Sequence, residues 1–295
     1  MADVPVFAGM LKEYSFAQAP LPAPAEGDFP LLRFPGLSAF PELIHAFTTR
    51  LGGVSKGPCS TLNLSFTRGD DEKDVRENHR LVARALGYDA DRAVLSHQTH
   101  TDNILVVTED DAGKGISKEK GYTGIDGLIT NVPGIPLIIF TADCVPVLLY
   151  DAKKRVIAAL HAGWRGTAAG IVPKALHKMK ALYGTDAADV HAAIGPSIGP
   201  CCYEVSEELG QRFMAMFPGH ESEVVTPGAP GHAQLDLRAA NRLLAEAEGV
   251  PASQIEVTNL CTRCHPDLFF SHRVTGDARG NLSAIICLKE ENEEA

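Results

Sequence analysis

Between Thr141 and Gly166 the chain runs T-A-D-C-V-P-V-L-L-Y-D-A-K-K-R-V-I-A-A-L-H-A-G-W-R-G. This mostly apolar stretch carries Asp143, Cys144, His161, Arg165 and the only tryptophan. Polar groups set among apolar ones cost free energy unless paired, so Cys144 and His161 read as partners. The branched and aromatic residues at 145–150 and 156–160 predict two strands, joined by the polar turn Asp151-Ala152-Lys153-Lys154. A turn centred between Ala152 and Lys153 sets Tyr150 opposite Arg155 and Cys144 opposite His161. Opposed residues of an antiparallel pair have Cβ atoms roughly 4.5–5.5 Å apart, and a one-residue slip would send the two to opposite faces. Such a pair supports a thiolate nucleophile with an imidazole base or a metal site using sulfur and nitrogen. The plain alternative is an inert, packed cysteine.

Three further segments concentrate polar residues. His97-Gln98-Thr99-His100 precedes the strand-like 104–108, and on a strand its two histidines would face opposite ways, so one of them belongs to a site. Together with Cys144 and His161 it makes three protein ligands with an open fourth position, the pattern of catalytic zinc. Arg50, followed by Gly52-Gly53 and later Asn63, could aim a guanidinium and backbone N–H groups at an anion; the alternative is an ordinary strand-end turn. Cys261-Thr262-Arg263-Cys264-His265 has the spacing of c-type haem attachment without an export context. A zinc knuckle would need a second ligand pair at fitting spacing, and none is evident. The expectation is a loop with packed thiols, and Cys201-Cys202 reads as packing too.

Elements able to position these residues follow from periodicity. Helices are predicted at 73–87, 166–183, 206–217 and 236–248. Strands are predicted at 44–49, 104–108, 126–130, 136–142, 145–150, 156–161, 190–195, 255–259 and 283–288. Strands joined by short turns favour a mixed α+β class over a doubly wound parallel sheet. Residues 1–38, rich in Ala and Pro, are expected as an extended arm, 39–289 as one catalytic domain and 290–295 as an acidic tail. A net charge of −10 argues against broad nucleic-acid binding but leaves room for a small anion held by one or two arginines. No apolar run is long enough for a membrane span. Seven cysteines without an evident export signal point to reduced thiols in a cytoplasm.

Taken together, H-Q-T-H at 97–100, D-G-L-I-T at 126–130, T-A-D-C at 141–144, L-H-A-G-W-R-G at 160–166, A-I-G-P-S-I-G-P-C-C-Y-E-V at 193–205 and C-T-x-C…F-F-S-H-R at 261–273 resemble the YfiH/laccase-domain family of purine nucleoside phosphorylases. T-T-R-x-G-G-V-S at 48–55 fits as well, and the resemblance covers about residues 40–288. It implies a single α+β fold related to the cytotoxic-necrotizing-factor catalytic domain, with zinc held by His100, Cys144 and His161 and with His97 left over. Thr101 stands where glycine is usual, and His265 receives no role. The implied reaction is phosphorolysis of adenosine, inosine or guanosine to base and ribose 1-phosphate, with adenosine deamination and methylthioadenosine cleavage as further activities. Phosphorolysis needs an anion site, for which Arg50, Asn63 and Arg165 are the candidates. Asp143 is expected as a proton carrier or as an orienting group. Beyond the nucleoside and phosphate no partner is implied. A metal-free cysteine hydrolase or acyl transferase, or a non-catalytic binding module, is the alternative. The older label of copper polyphenol oxidase fits poorly, since the eleven histidines contain no H-x-H.

Overall fold

A computed structural model of the chain describes residues 30–290. Its strands are β1 (Leu31–Leu32), β2 (Leu43–Thr48), β3 (Val94–Leu95), β4 (Ile104–Val106), β5 (Gly127–Thr130), β6 (Leu137–Thr141) and β7 (Val145–Asp151). They continue with β8 (Val156–Ala162), β9 (Val190–Ile194), β10 (Glu204–Ser206), β11 (Val225–Pro227), β12 (His232–Leu235), β13 (Ile255–Val257) and β14 (Leu282–Leu288). One sheet has the order β1-β2-β14-β6-β3, a second β13-β9-β7-β8-β5-β4, and a small third β10-β12-β11. Both large sheets mix parallel and antiparallel pairs, so the α+β class stands.

The two large sheets pack face to face. Leu137, Ile139, Ala284 and Ile286 of one meet Leu148, Tyr150, Ile157 and Ala159 of the other in a shared apolar layer. Alternate residues of the same strands point the other way. Val147, Leu149, Ala158 and Leu160 lie under the helices Ile171–Tyr183 and Leu237–Ala247. Ile138, Phe140, Ile285 and Cys287 lie under the helix Glu72–Leu86. The order helix, sheet, sheet, helix buries every residue of β6, β7, β8 and β14. That is why these strands read as continuous apolar runs rather than as alternating ones.

Each predicted strand is present within one or two residues, and three of the four helices are present within one residue at each end. The fourth, 166–183, is divided into Trp164–Ala168 and Ile171–Tyr183. Gly170 between them is left-handed, at φ 78°, a conformation glycine adopts at little cost and one that no continuous right-handed helix contains. The three-stranded sheet escaped periodicity because its strands are only three or four residues long. In the stretch expected as an arm, Leu31, Leu32, Phe34 and Leu37 are buried in β1 and a short helical turn. Residues 1–29 of that stretch and the acidic tail beyond Glu290 lie outside the described residues.

The hairpin of β7 and β8 has a different register from the one expected. Pro146 pairs with His161 and Asp151 with Val156, so the turn occupies 152–155. The Asp151 carboxylate accepts from the N–H groups of Lys153 and Lys154 at 2.9 and 3.0 Å, and Arg155 turns left-handed at φ 52°. The turn keeps the four residues expected but starts one residue later, because Asp151 stays in the strand and folds the turn with its side chain.

Candidate active site

Three loops at strand ends meet at one mouth of the large sheets. Cys144 immediately precedes β7, His161 lies near the end of β8, and His100 lies in the connection between β3 and β4. Cys144 is level with Gly163, so it is a diagonal neighbour of His161 on the same face, not its direct opposite. A shift of two residues keeps the face, which is why the pair survives the corrected register. The ligand atoms of His100, Cys144 and His161 all lie within 4.8 Å of one another, with Cys144 Sγ 3.9 Å from His100 Nε2. The two imidazoles meet edge to face at 5.0 Å. Gly163 leaves room there: a Cβ would sit tightly, 3.1 Å from Cys144 Sγ and 3.2 Å from the His100 ring.

The organiser of this cluster is Asp126, fully buried at the start of β5. Its Oδ1 accepts from His161 Nδ1 at 2.8 Å and from the His100 N–H at 3.0 Å. Its Oδ2 accepts from the N–H groups of Thr99 and Thr101 and from the Thr101 hydroxyl, at 3.1, 2.9 and 2.9 Å. One carboxylate thus fixes the His161 ring and wraps the H-Q-T-H loop, where His100 is held left-handed at φ 64°. Such a conformation in a non-glycine residue persists only where the surroundings over-determine it. The hydroxyl of Thr101, at the position where glycine was expected, is one of those restraints. Sequence reading singled out D-G-L-I-T but gave Asp126 no role. An aspartate heading an otherwise apolar strand was the available signal.

Electrostatics follow from these contacts. Burial raises Asp126, but the hydrogen bond and charge of His161 and the N–H donors overcome it, leaving the group at about 2. Burial likewise opposes ionisation of Cys144 and of His161, yet each partner's charge outweighs it. The thiol is drawn below its ordinary range and the imidazole above. The site therefore favours a thiolate. With His161 Nδ1 committed to Asp126, its Nε2 faces Cys144 and His100. One sulfur and two imidazole nitrogens with the second nitrogen of one ring anchored on carboxylate fit a metal ion with a further position open.

The cluster opens into a cavity of about 620 Å³. Phe66, Phe140, Trp164 and Tyr203 give it aromatic walls. Although the chain carries a net −10, the lining holds five cations, Arg68, Lys120, Arg165, Arg273 and Arg279, against Asp143 and Asp277. Arg165 lies over the Trp164 ring at 4.3 Å. The Nε atoms of Arg68 and Arg279 are buried without a partner among the described residues. Asp143, left-handed at φ 88°, accepts from the Thr262 hydroxyl at 2.6 Å and from the Arg273 N–H at 2.7 Å. Both of its oxygens thus tie the loop after β13 to the cavity floor.

Arg50 and Asn63, expected at an anion site, are placed elsewhere. All three Arg50 nitrogens donate to backbone carbonyls, of Ser60 and Pro266, and the guanidinium stacks on Phe270. Asn63 is fully buried and bonds to Ser65, Asp70 and the Asn281 N–H. Neither lines the cavity; both fix the loop between β2 and the helix Glu72–Leu86. His97 borders the cavity, and its Nδ1 accepts from the Gly124 N–H at 3.3 Å, away from the ligand cluster.

Comparison with known proteins places this geometry. The family described as "Multi-copper polyphenol oxidoreductase laccase" matches residues 44–289. The Purine nucleoside phosphorylase YlmD of Geobacillus stearothermophilus is 37% identical over 257 residues, covering 87% of this chain and 94% of that protein. The Adenosine deaminase RL5 of an unknown prokaryotic organism is 38% identical over 237 residues, 80% of this chain and 90% of that protein. The crystal structure of YlmD from Geobacillus stearothermophilus superposes with a TM-score of 0.82 at 36% identity, covering 91% of this chain and 98% of that one. With a family model matching most of the chain and relatives 37–38% identical along nearly their whole length, the chain belongs to the YfiH/laccase-domain family and is an enzyme.

Proposed function

We propose that the chain is a zinc-dependent purine nucleoside phosphorylase, converting nucleoside and phosphate to free base and ribose 1-phosphate. The observation that carries this reading is one cavity combining a His-Cys-His ligand set, aromatic walls and a cluster of cations inside an acidic protein. Zinc bound by His100, Cys144 and His161 would supply a Lewis acid at the reacting end of the cavity. The aromatic side chains offer faces on which a purine stacks, an interaction of roughly 1–3 kcal/mol per base. Arg68 and Arg279, each with a buried, unpartnered Nε, replace Arg50 and Asn63 as the phosphate-binding pair, with Arg165 beside them. Asp143, its oxygens already receiving two hydrogen bonds, acts by orienting the Thr262–Arg273 loop. The relative named as an adenosine deaminase supports a second activity in the same cavity, release of ammonia from adenosine without phosphate.

The test incubates the protein with adenosine, inosine, guanosine and methylthioadenosine, with and without phosphate, and separates products by chromatography, with zinc quantified on the same sample. Phosphate-dependent release of base and ribose 1-phosphate is expected, lost in Cys144→Ser and His161→Ala together with the zinc of the cavity. Inosine formed from adenosine without phosphate marks the deaminase activity. Full phosphorylase activity in both variants would overturn the reading. Turnover that withstands chelation but stops on alkylation of Cys144 would point instead to a thiolate nucleophile with His161 as its base.

A further inference from the structure

We propose that Cys201, Cys202, Cys261 and Cys264 form a second metal site, distinct from the cavity, that holds one zinc-class ion in a structural role. Parallel pairing brings the four together. β9 and β13 are neighbours with Ala192 beside Ile255 and Ile194 beside Val257, so the loops after them leave the sheet side by side. Ser197 pairs with Cys261, and the Thr262 N–H donates to the Ser197 carbonyl at 3.0 Å. The pair Cys201-Cys202 on one loop is thereby set against the C-x-x-C of the other. This is the second ligand pair that linear spacing did not reveal.

The geometry suits a single tetrahedral ion. All four sulfurs lie within 4.8 Å of one another, with Cys264 Sγ 3.6 Å from Cys201 Sγ and 3.4 Å from Cys202 Sγ. Four thiolates around one zinc, at Zn–S of about 2.3 Å, stand roughly 3.8 Å apart. An iron–sulfur cluster divides the four cysteines between two or four irons and so spreads the sulfurs wider than a single ion does. Four thiolates and one divalent ion leave net negative charge, and the surroundings offset it. The Gly199 N–H donates to Cys261 Sγ at 3.2 Å, and the buried Arg238 guanidinium lies against Gly199, where a Cβ would fall 2.6 Å from its Nη2. Cys261 is buried, Cys202 half-buried, and Cys201 and Cys264 reach the surface. That arrangement allows loading from solvent while leaving no open position for a substrate, as structural zinc sites do.

The consequence reaches the catalytic cavity. Ile198 and Tyr203, on either side of Cys201-Cys202, line it, and Thr262, inside the C-x-x-C, holds Asp143. An ion joining the two loops would pin that wall of the cavity. Binding would release thiol protons to solvent, so retention should weaken in acid.

The test separates this site from the cavity by removing the cavity ligands. The full-length variant His100→Ala/Cys144→Ala/His161→Ala, prepared with zinc and desalted, is expected to keep one zinc per chain against two in the wild type. Cobalt(II) exchanged into it should give thiolate charge-transfer absorption and the intense visible bands of a tetrahedral site. Cys202→Ser/Cys264→Ser in the same background should lose both. In wild-type protein, mass mapping should find these four thiols protected from iodoacetamide until a strong chelator is added. The proposal is overturned if the cavity-depleted variant holds no stoichiometric metal and shows no cobalt–thiolate band. It is equally overturned if, in the wild type, the four thiols are alkylated as readily without a chelator, or mapping finds a disulfide among them. None of these readouts uses activity, so they stand independently of the proposed reaction.

Discussion

Asp126 receives five hydrogen bonds in a fully buried position, which concentrates the order of the site in one carboxylate. Asp126→Asn nearly preserves shape but puts an NH2 where an acceptor is needed. Outer partners of metal ligands typically account for 10–100-fold in affinity or activity. The expected result is metal retention lowered by that factor in a chelator competition, with the far-ultraviolet spectrum unchanged. Unaltered affinity would remove Asp126 from its organising role. At the proposed phosphate contact, Arg279 is mostly shielded from water and burial lowers it to about 10, still fully charged at neutral pH. Arg279→Met should raise KM for phosphate at least ten-fold while changing the nucleoside KM little; equal changes in both would contradict a phosphate contact. Arg50→Met, by contrast, should lower stability, since its guanidinium caps backbone carbonyls.

At the scale of elements, the site is built from strand ends and the loops that leave them. Strand existence was legible because β-branched runs bounded by turn residues are a local signal. Register was not legible, because it depends on how Asp151 folds its turn. The expected opposition of Cys144 and His161 is wrong by two residues, and the two still meet diagonally because a slip of two preserves the face. Gly163 shows how tightly the loops then close. Gly163→Ala would push a methyl against Cys144 Sγ and His100. Overpacking of this kind typically costs about 1–3 kcal/mol. The larger effect is expected on function: turnover lowered at least ten-fold and weaker metal retention, with a thermal midpoint only modestly reduced. Wild-type turnover in that variant would mean that the cluster is looser than its distances indicate.

At the scale of the whole molecule, two buried histidines make the layered core sensitive to acid. His45 Nε2 accepts from the Phe34 N–H at 2.9 Å, and burial is the main cause that lowers it to about 3. His79 is bonded to the Leu64 carbonyl at 2.8 Å, and burial lowers it to about 4. In the unfolded chain both titrate near 6.5. Between those values the unfolded state binds more protons, so stability rises with pH there and falls as pH drops from about 6.5 towards 4. The loss is on the order of a few kcal/mol, read as a falling urea midpoint that levels off above about pH 7. His45→Gln and His79→Gln should each flatten that slope even where they lower the plateau, and an unchanged slope in both would refute the assignment.

The sequence by itself determined the apolar strands, the amphipathic helices and the α+β class, which rest on local periodicity; His100, Cys144 and His161 were pointed to as a set by the motifs that carry the family resemblance. Tertiary structure alone decided what lies across the chain. Asp126 became the organiser because five donors from other segments converge on it. Arg50 and Asn63 lie outside the cavity because their polar atoms are consumed by nearby backbone and side-chain groups, whereas Arg68 and Arg279 line it. Cys201-Cys202 met Cys261 and Cys264 because two parallel strands end side by side. Linear spacing records which groups are present; only the burial and pairing of distant segments decides which of them remain free to act.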